Sequence, residues 1–235
     1  CAVNQIRDRI TSNNCLGHID HNGPDCGDTA WLGACPVTVS HLHIDGNAPL
    51  PLSFACLETI TDDLRALQGS PLTTVSLPKL TTIGNDVQIH ASHLTTLDMP
   101  KLTTIAGELE VLQTNGLSVS VPELATIGTD FLVQDSALVA LALPKLTQVG
   151  DLFNIQTSTI ATFSAPLLAS VGSLYLAGNP ELTSFSLPSR TSVATQFDIL
   201  SNPVLTSIDL HSLVGNDTLD LFVGSHAELT TVAFD

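Results

Sequence analysis

The chain has 235 residues, 43% hydrophobic and only 13% charged, with 7 Lys and Arg against 23 Asp and Glu for a formal net charge of −16. That balance argues against nucleic acid, whose phosphates call for clustered basic side chains, and against adsorption to an anionic lipid surface. No run approaches the roughly 18 apolar residues of a membrane-spanning helix.

Residues 1–36 do not fit the repeat that follows them. They carry Cys1, Cys15, Cys26 and Cys35, and the fifth cysteine, Cys56, lies one coil further on. A cysteine-rich N-terminal cap over 1–36 is predicted, because a stack of strands needs its open end covered. Cys15, Cys26, Cys35 and Cys56 are its disulfide candidates, in an oxidising compartment. Their connectivity stays open, and so does the role of the odd cysteine. The chain begins at Cys1 and not at Met, so Cys1 is the residue that would carry a lipid if this is a processed lipoprotein. Asn4 to Ser12 reads as a short helix. Asp20, Asn22, Asp25 and Asp28 surround glycines, an oxygen set that suits calcium. EF-hand spacing is not met there, and a turn-rich cap uses the same residues. No other cofactor is expected.

From residue 37 onward one interval governs the chain. Pro78, Pro100, Pro122, Pro144, Pro166 and Pro188 are each separated by 22 residues. A fixed period of this size is the signature of a solenoid. Apolar columns repeat with it: Leu80, Leu102, Leu124, Leu146 and Leu168, and three residues on Ile83, Ile105, Ile127, Val149, Val171 and Val193. A third column is an alternating pair, from Leu42/Ile44 through Leu109/Val111 to Leu219/Leu221, as in half-buried strands. A shorter alternation (Val75/Leu77, Leu97/Met99) runs into each proline, which lacks an N–H and belongs where a strand ends. Leu57 to Leu67 shows part of a helical period. The prediction is an all-β fold: a right-handed parallel β-solenoid over 37–235, one continuous domain of about nine coils at about 4.8 Å each, with a disulfide-stapled N-terminal cap. Its last coil shows no cap of its own.

The segment Cys35 to Ile44 (CPVTVSHLHI), followed by Leu57 to Ile60 (LETI) and Leu72 to Val75 (LTTV), resembles the receptor L domain, a leucine-rich-repeat-like ligand-binding solenoid of growth-factor receptors. Val171 to Phe185 (VGSLYLAGNPELTSF) is similar to bacterial and fungal cell-surface repeats of the same kind. The resemblance spans roughly 35–235 and implies extracellular recognition without naming a ligand.

One outward position, just before the main strand, reads His41, Asp63, Asp86, Glu108 and Asp130 in successive coils. Like charges facing each other across paired strands are destabilising, so the strip Asp63, Asp86, Glu108, Asp130, with Glu110 beside it, is the candidate ligand-binding surface. A solvated acidic face that discourages sheet pairing is the competing reading. Asp198 and Asp220 are expected in Glu110's column. His41 and His43 flank an inward Leu42, but no third ligand completes a zinc site at sequence level. The paired threonines, such as Thr81-Thr82 and Thr103-Thr104, are expected to bond backbone at bends rather than to form an ice-binding ladder. No nucleophile elbow, zinc-protease helix, P-loop or dinucleotide fingerprint occurs, so no enzyme is expected. The sequence points to a secreted or cell-surface adhesion module that binds protein or glycan through the outer face of its main sheet. The alternative is a structural subunit that assembles end to end with copies of itself.

Overall fold

The computed structural model describes residues 37–44, 52–66, 73–90, 93–163, 165–187, 191–214 and 219–233. The predicted cap over 1–36, with Cys1, Cys15, Cys26, Cys35 and the oxygen set Asp20, Asn22, Asp25 and Asp28, lies outside them. Within them the chain is a parallel β-solenoid with a period close to 22 residues and no helix. None of the described residues forms a helix long and apolar enough to cross a membrane.

One coil shows the plan. Thr104–Ile105 pairs in a first ribbon, Leu109–Leu112 in a second, and Asn115–Ser120 in a third. The chain then turns at Val121-Pro122-Glu123-Leu124, where Leu124 N–H donates to Val121 C=O at 3.1 Å. The same turn recurs at Leu77–Leu80, Met99–Leu102, Leu143–Leu146 and Ala165–Leu168. Proline sits second in each, where its fixed φ suits a β-turn and its missing N–H costs nothing. The period in the prolines is therefore the period of this turn.

The second ribbon stacks nine strand levels from Leu42–Ile44 to Asp220–Gly224, all parallel. Nine levels bound eight full turns, so the described chain makes about eight coils where nine were expected. In later coils the first and second ribbons fuse: Gln148–Gln156, Ser170–Ala177 and Thr191–Leu200 run through both, with register shifts at the bend. Among the described residues, the third ribbon at the coil of Thr162 is an isolated bridge to Ser184. A groove of about 520 Å³ opens beside it, lined by Leu138, Leu141, Ile160 and Glu181 among others.

The predicted apolar columns form one continuous core, except at the last level, where register with Phe197 and Ile199 makes the main-strand pair Leu221/Val223 and not Leu219/Leu221, and Leu221 is exposed. Leu80, Leu102, Leu124, Leu146 and Leu168 are all buried, as are Ile83, Ile105, Ile127, Val149, Val171 and Val193. Aromatic rings replace aliphatics in the middle coils, where Phe131 and Phe153 stack at 4.7 Å between centroids. The helical period predicted over Leu57 to Leu67 is not a helix in its described part, Leu57 to Ala66. Leu57–Ile60 and Leu64–Ala66 are strands of the first and second ribbons. Leu57, Ile60 and Leu64 mimic a helical stripe because each points to the same core from either side of a bend.

The corner between the second and third ribbons escaped the sequence reading. Gln113, Asp135, Thr157, Gly178, Ser201 and Ser225 all adopt positive φ, between 48° and 65°. The residue after each is polar: Thr114, Ser136, Ser158, Asn179 and Asn202 are at most 2% exposed, and His226 is partly buried. They form a ladder. Ser158 N–H donates to Asn179 Oδ1 at 3.1 Å, Asn179 N–H to Asn202 Oδ1 at 2.9 Å, and Asn202 N–H to His226 Nδ1 at 3.3 Å. The left-handed turn breaks the backbone pairing, and the side chains supply the missing acceptors, as buried N–H groups require.

Candidate functional site on the second ribbon

The outward positions of the three ribbons differ in kind. On the first ribbon, register aligns Thr59, Thr82, Thr104, Thr126, Gln148, Ser170, Ser192 and Val214. On the third it aligns Thr74, Thr96 and Ser118, and then, further along, Thr162, Ser184, Ser207 and Thr231. Both columns are mostly small hydroxyl residues. On the second ribbon the central outward column is His43, Arg65, Gln88, Glu110, Leu132, Asn154, Tyr175, Asp198 and Phe222. Nine levels carry nine different residue types. The second ribbon thus holds a varied surface on a repetitive scaffold.

The acidic strip lies beside that column. Asp63, Asp86, Glu108 and Asp130 each precede the residues that pair as Leu64, Val87, Leu109 and Phe131. Asp220 pairs with Gln196 and so stands in the strip's own column, while Asp198 falls in Glu110's column as expected. The carboxylates do not simply face solvent. Asp63 is 6% exposed. Its Oδ1 accepts from Asn85 Nδ2 at 2.9 Å and from Asp86 N–H at 3.3 Å, and its Oδ2 takes Arg65 Nη2 at 2.8 Å. Asp86 Oδ1 accepts Glu108 N–H at 3.0 Å, and Asp130 Oδ1 accepts Leu152 N–H at 2.9 Å. Three of the four therefore cap the next coil's backbone at the bend before the main strand. Gly107 makes room for this, since a Cβ there would lie 2.1 Å from Asp86 Oδ1.

Glu108 and Glu110 also meet other side chains. Glu108 accepts Gln88 Nε2 at 2.7 Å, and Glu110 pairs with His90 Nε2 at 2.8 Å. Partial desolvation raises the Glu108 pKa above the usual carboxylate value, helped by the neighbouring charges of Glu110, Asp86 and Asp130 and opposed by the Gln88 hydrogen bond. In the later coils the face turns amphipathic. Leu132, Asn154 and Tyr175 follow one another, and Asn154 is only 6% exposed between them.

The structure also joins what the sequence left apart. His41, His43 and Asp63 place one potential ligand atom each within 4.8 Å of one another. Sequence reading found the two histidines and missed Asp63 as their companion, because the 22-residue register that brings it alongside was read there as a row of charges. The threonine hydroxyls bond backbone as expected: Thr81, Thr95, Thr103 and Thr147 donate to carbonyls of the preceding coil at 2.9–3.0 Å. Cys56 is partly buried against the core of the first coils.

Fold and face define a class: a parallel β-solenoid with one diversified surface. No family model, curated protein or solved structure matches the chain.

Proposed function

We propose that this protein is a secreted or cell-surface recognition module that binds protein or glycan through the outer face of its second ribbon. One observation carries the reading: nine residue types at nine aligned positions, against hydroxyl-rich columns on the other two faces. A repeat that is held constant where it packs and varied on one exposed face has the form of a recognition surface, as in other solenoids. The mixture of Arg65, Glu110, Leu132, Tyr175 and Phe222 is also the chemistry of protein interfaces, which enrich aromatic residues and Arg. The receptor L domain resemblance supports the same function, and the cysteine-rich segment before the solenoid supports an oxidising, extracellular location. No residue is assigned a catalytic role. The tight hydrogen bonding of Asp63, Asp86 and Asp130 favours Glu110, Leu132 and Tyr175 as the centre of the contact, with the acidic strip as its rim.

The test is a glycan array and a displayed peptide library probed with the native chain, Glu110→Lys, Tyr175→Ala and Thr104→Lys. Ligands lost in the first two variants and retained by Thr104→Lys, which alters the first ribbon, support the reading. Ligands retained by all three variants, or none bound by the native chain, overturn it.

A second reading, end-to-end assembly, draws on the last described coil. Leu221, Phe222 and Val232 are 39%, 57% and 37% exposed there, although Phe197, which pairs with Leu221, is fully buried. Light scattering separates the two readings: a monomer near 24.7 kDa disfavours assembly, and an open-ended mass distribution favours it.

A further inference from the structure

We infer that His41, His43 and Asp63 form a binding site for a late first-row divalent metal of the zinc type, clamping the first coil to the second. The site is independent of the recognition reading. His41 and His43 project from the strand Leu42–Ile44, and Asp63 precedes the strand Leu64–Ala66 that pairs with it. The two imidazole rings stand 5.4 Å apart, tilted by 55°.

The decisive detail is the surroundings of His41. Its Nε2 lies 3.3 Å from Asp62 Oδ2. Its Nδ1 is buried, makes no hydrogen bond, and lies 3.8 Å from Asp63 Oδ2. A metal cation between that nitrogen and the carboxylate would bond to both. A carboxylate that holds the far nitrogen of a ligating histidine is the usual outer partner of zinc. Asp63 is likewise fixed by outer bonds, from Asn85 and from the Asp86 N–H.

Two imidazoles and one carboxylate select zinc, copper, nickel or cobalt over calcium, which takes oxygen alone. Ligand atoms on a tetrahedral zinc with bonds of about 2.0–2.1 Å lie about 3.4 Å apart. The observed spread of up to 4.8 Å therefore closes by side-chain rotation of about an ångström. Arg65 opposes the site, since its Nη2 shares Asp63 Oδ2 at 2.8 Å and adds a positive charge. Its removal should tighten binding.

The experiment is a Co²⁺ titration of the chelator-treated full chain, read by the visible absorption of four-coordinate cobalt, followed by displacement with Zn²⁺. The expected result is one saturable site whose occupancy raises the thermal midpoint. Affinity should fall at least tenfold in His41→Ala and His43→Ala, rise several-fold in Arg65→Gln, and stay unchanged in His90→Ala. Circular dichroism of the metal-free variants checks their fold. Arg65→Gln keeps all three ligands and so tests the site even if a histidine variant fails to fold. An absent band overturns the proposal, as does a band that His41→Ala and His43→Ala leave intact. The His41–Asp63 contact would then be a contact between side chains of neighbouring coils and nothing more.

Discussion

Asn179 shows how much a single side chain can hold in this fold. Its Oδ1 receives the Ser158 N–H, and its Nδ2 donates to Ile155 C=O at 3.0 Å and to Asn202 Oδ1 at 3.1 Å, all fully buried. Asn179→Ala strands these partners, and unsatisfied buried groups cost about 1–3 kcal/mol each. A loss of about 3 kcal/mol is expected in urea unfolding, and Ser, which still offers an acceptor, should recover part of it. Glu108 makes the opposite case. Its folded pKa is raised, so the folded state takes up a proton more readily than the unfolded chain. Its ionised form weakens the fold above that raised pKa, and the penalty disappears as pH falls through it toward the ordinary value. Glu108→Gln should therefore raise the thermal midpoint at pH 7 and lose that advantage at pH 4, measured by calorimetry. Neither role was legible in the sequence. Thr114, Ser136 and Ser158 do recur at 22 residues, but a polar residue is read as outward until a left-handed corner is known to turn it in. The carboxylates of Asp86 and Asp130 likewise appear as bare charge until the bend exposes the N–H groups they accept.

At the level of the element, strands were more legible than bends. The pairs Val87/Ile89, Leu109/Val111 and Phe131/Val133 fixed the second ribbon and its register, because alternation and period agree there. Leu57 to Leu67 misled because a bend between two short strands spaces apolar residues by three and four. Bends also impose the tightest sterics. A Cβ on Gly150 would lie 1.8 Å from Gly128 C=O, and one on Gly128 1.8 Å from Ala106 C=O, both backbone atoms that cannot move alone. Gly150→Ala should cost about 2–4 kcal/mol, as core overpacking with backbone strain does. Gly116 differs: it needs a positive φ of 73° but has open space around its Cβ position. Gly116→Ala should cost only about 1 kcal/mol. Chemical denaturation of the two variants side by side checks the contrast.

For the whole molecule, the net charge is −16. Repulsion among unscreened carboxylates weakens a compact state, and salt relieves it. The thermal midpoint should rise by several degrees between low and physiological ionic strength, and less so in Glu108→Gln. The fold as a whole was legible because one interval runs through turns, strands and core alike. The face was only half legible. Its charges stood out in the sequence, but its variety emerges only when the levels are laid in register beside the uniform columns of the other two ribbons.

The polar ladder has a direction, and this bears on how such a protein can change in size. Each buried N–H at the corner is answered by a side chain one level further along the chain, from Ser158 to Asn179 to Asn202 to His226. A level is thus completed by its successor. Whole levels can be duplicated or excised, since each presents a backbone N–H at the corner and supplies a side-chain acceptor to the level before it. A partial level would leave every later corner out of step. Length in this architecture is quantised, and a recognition face built on it can be lengthened one level at a time without redesigning what lies beneath.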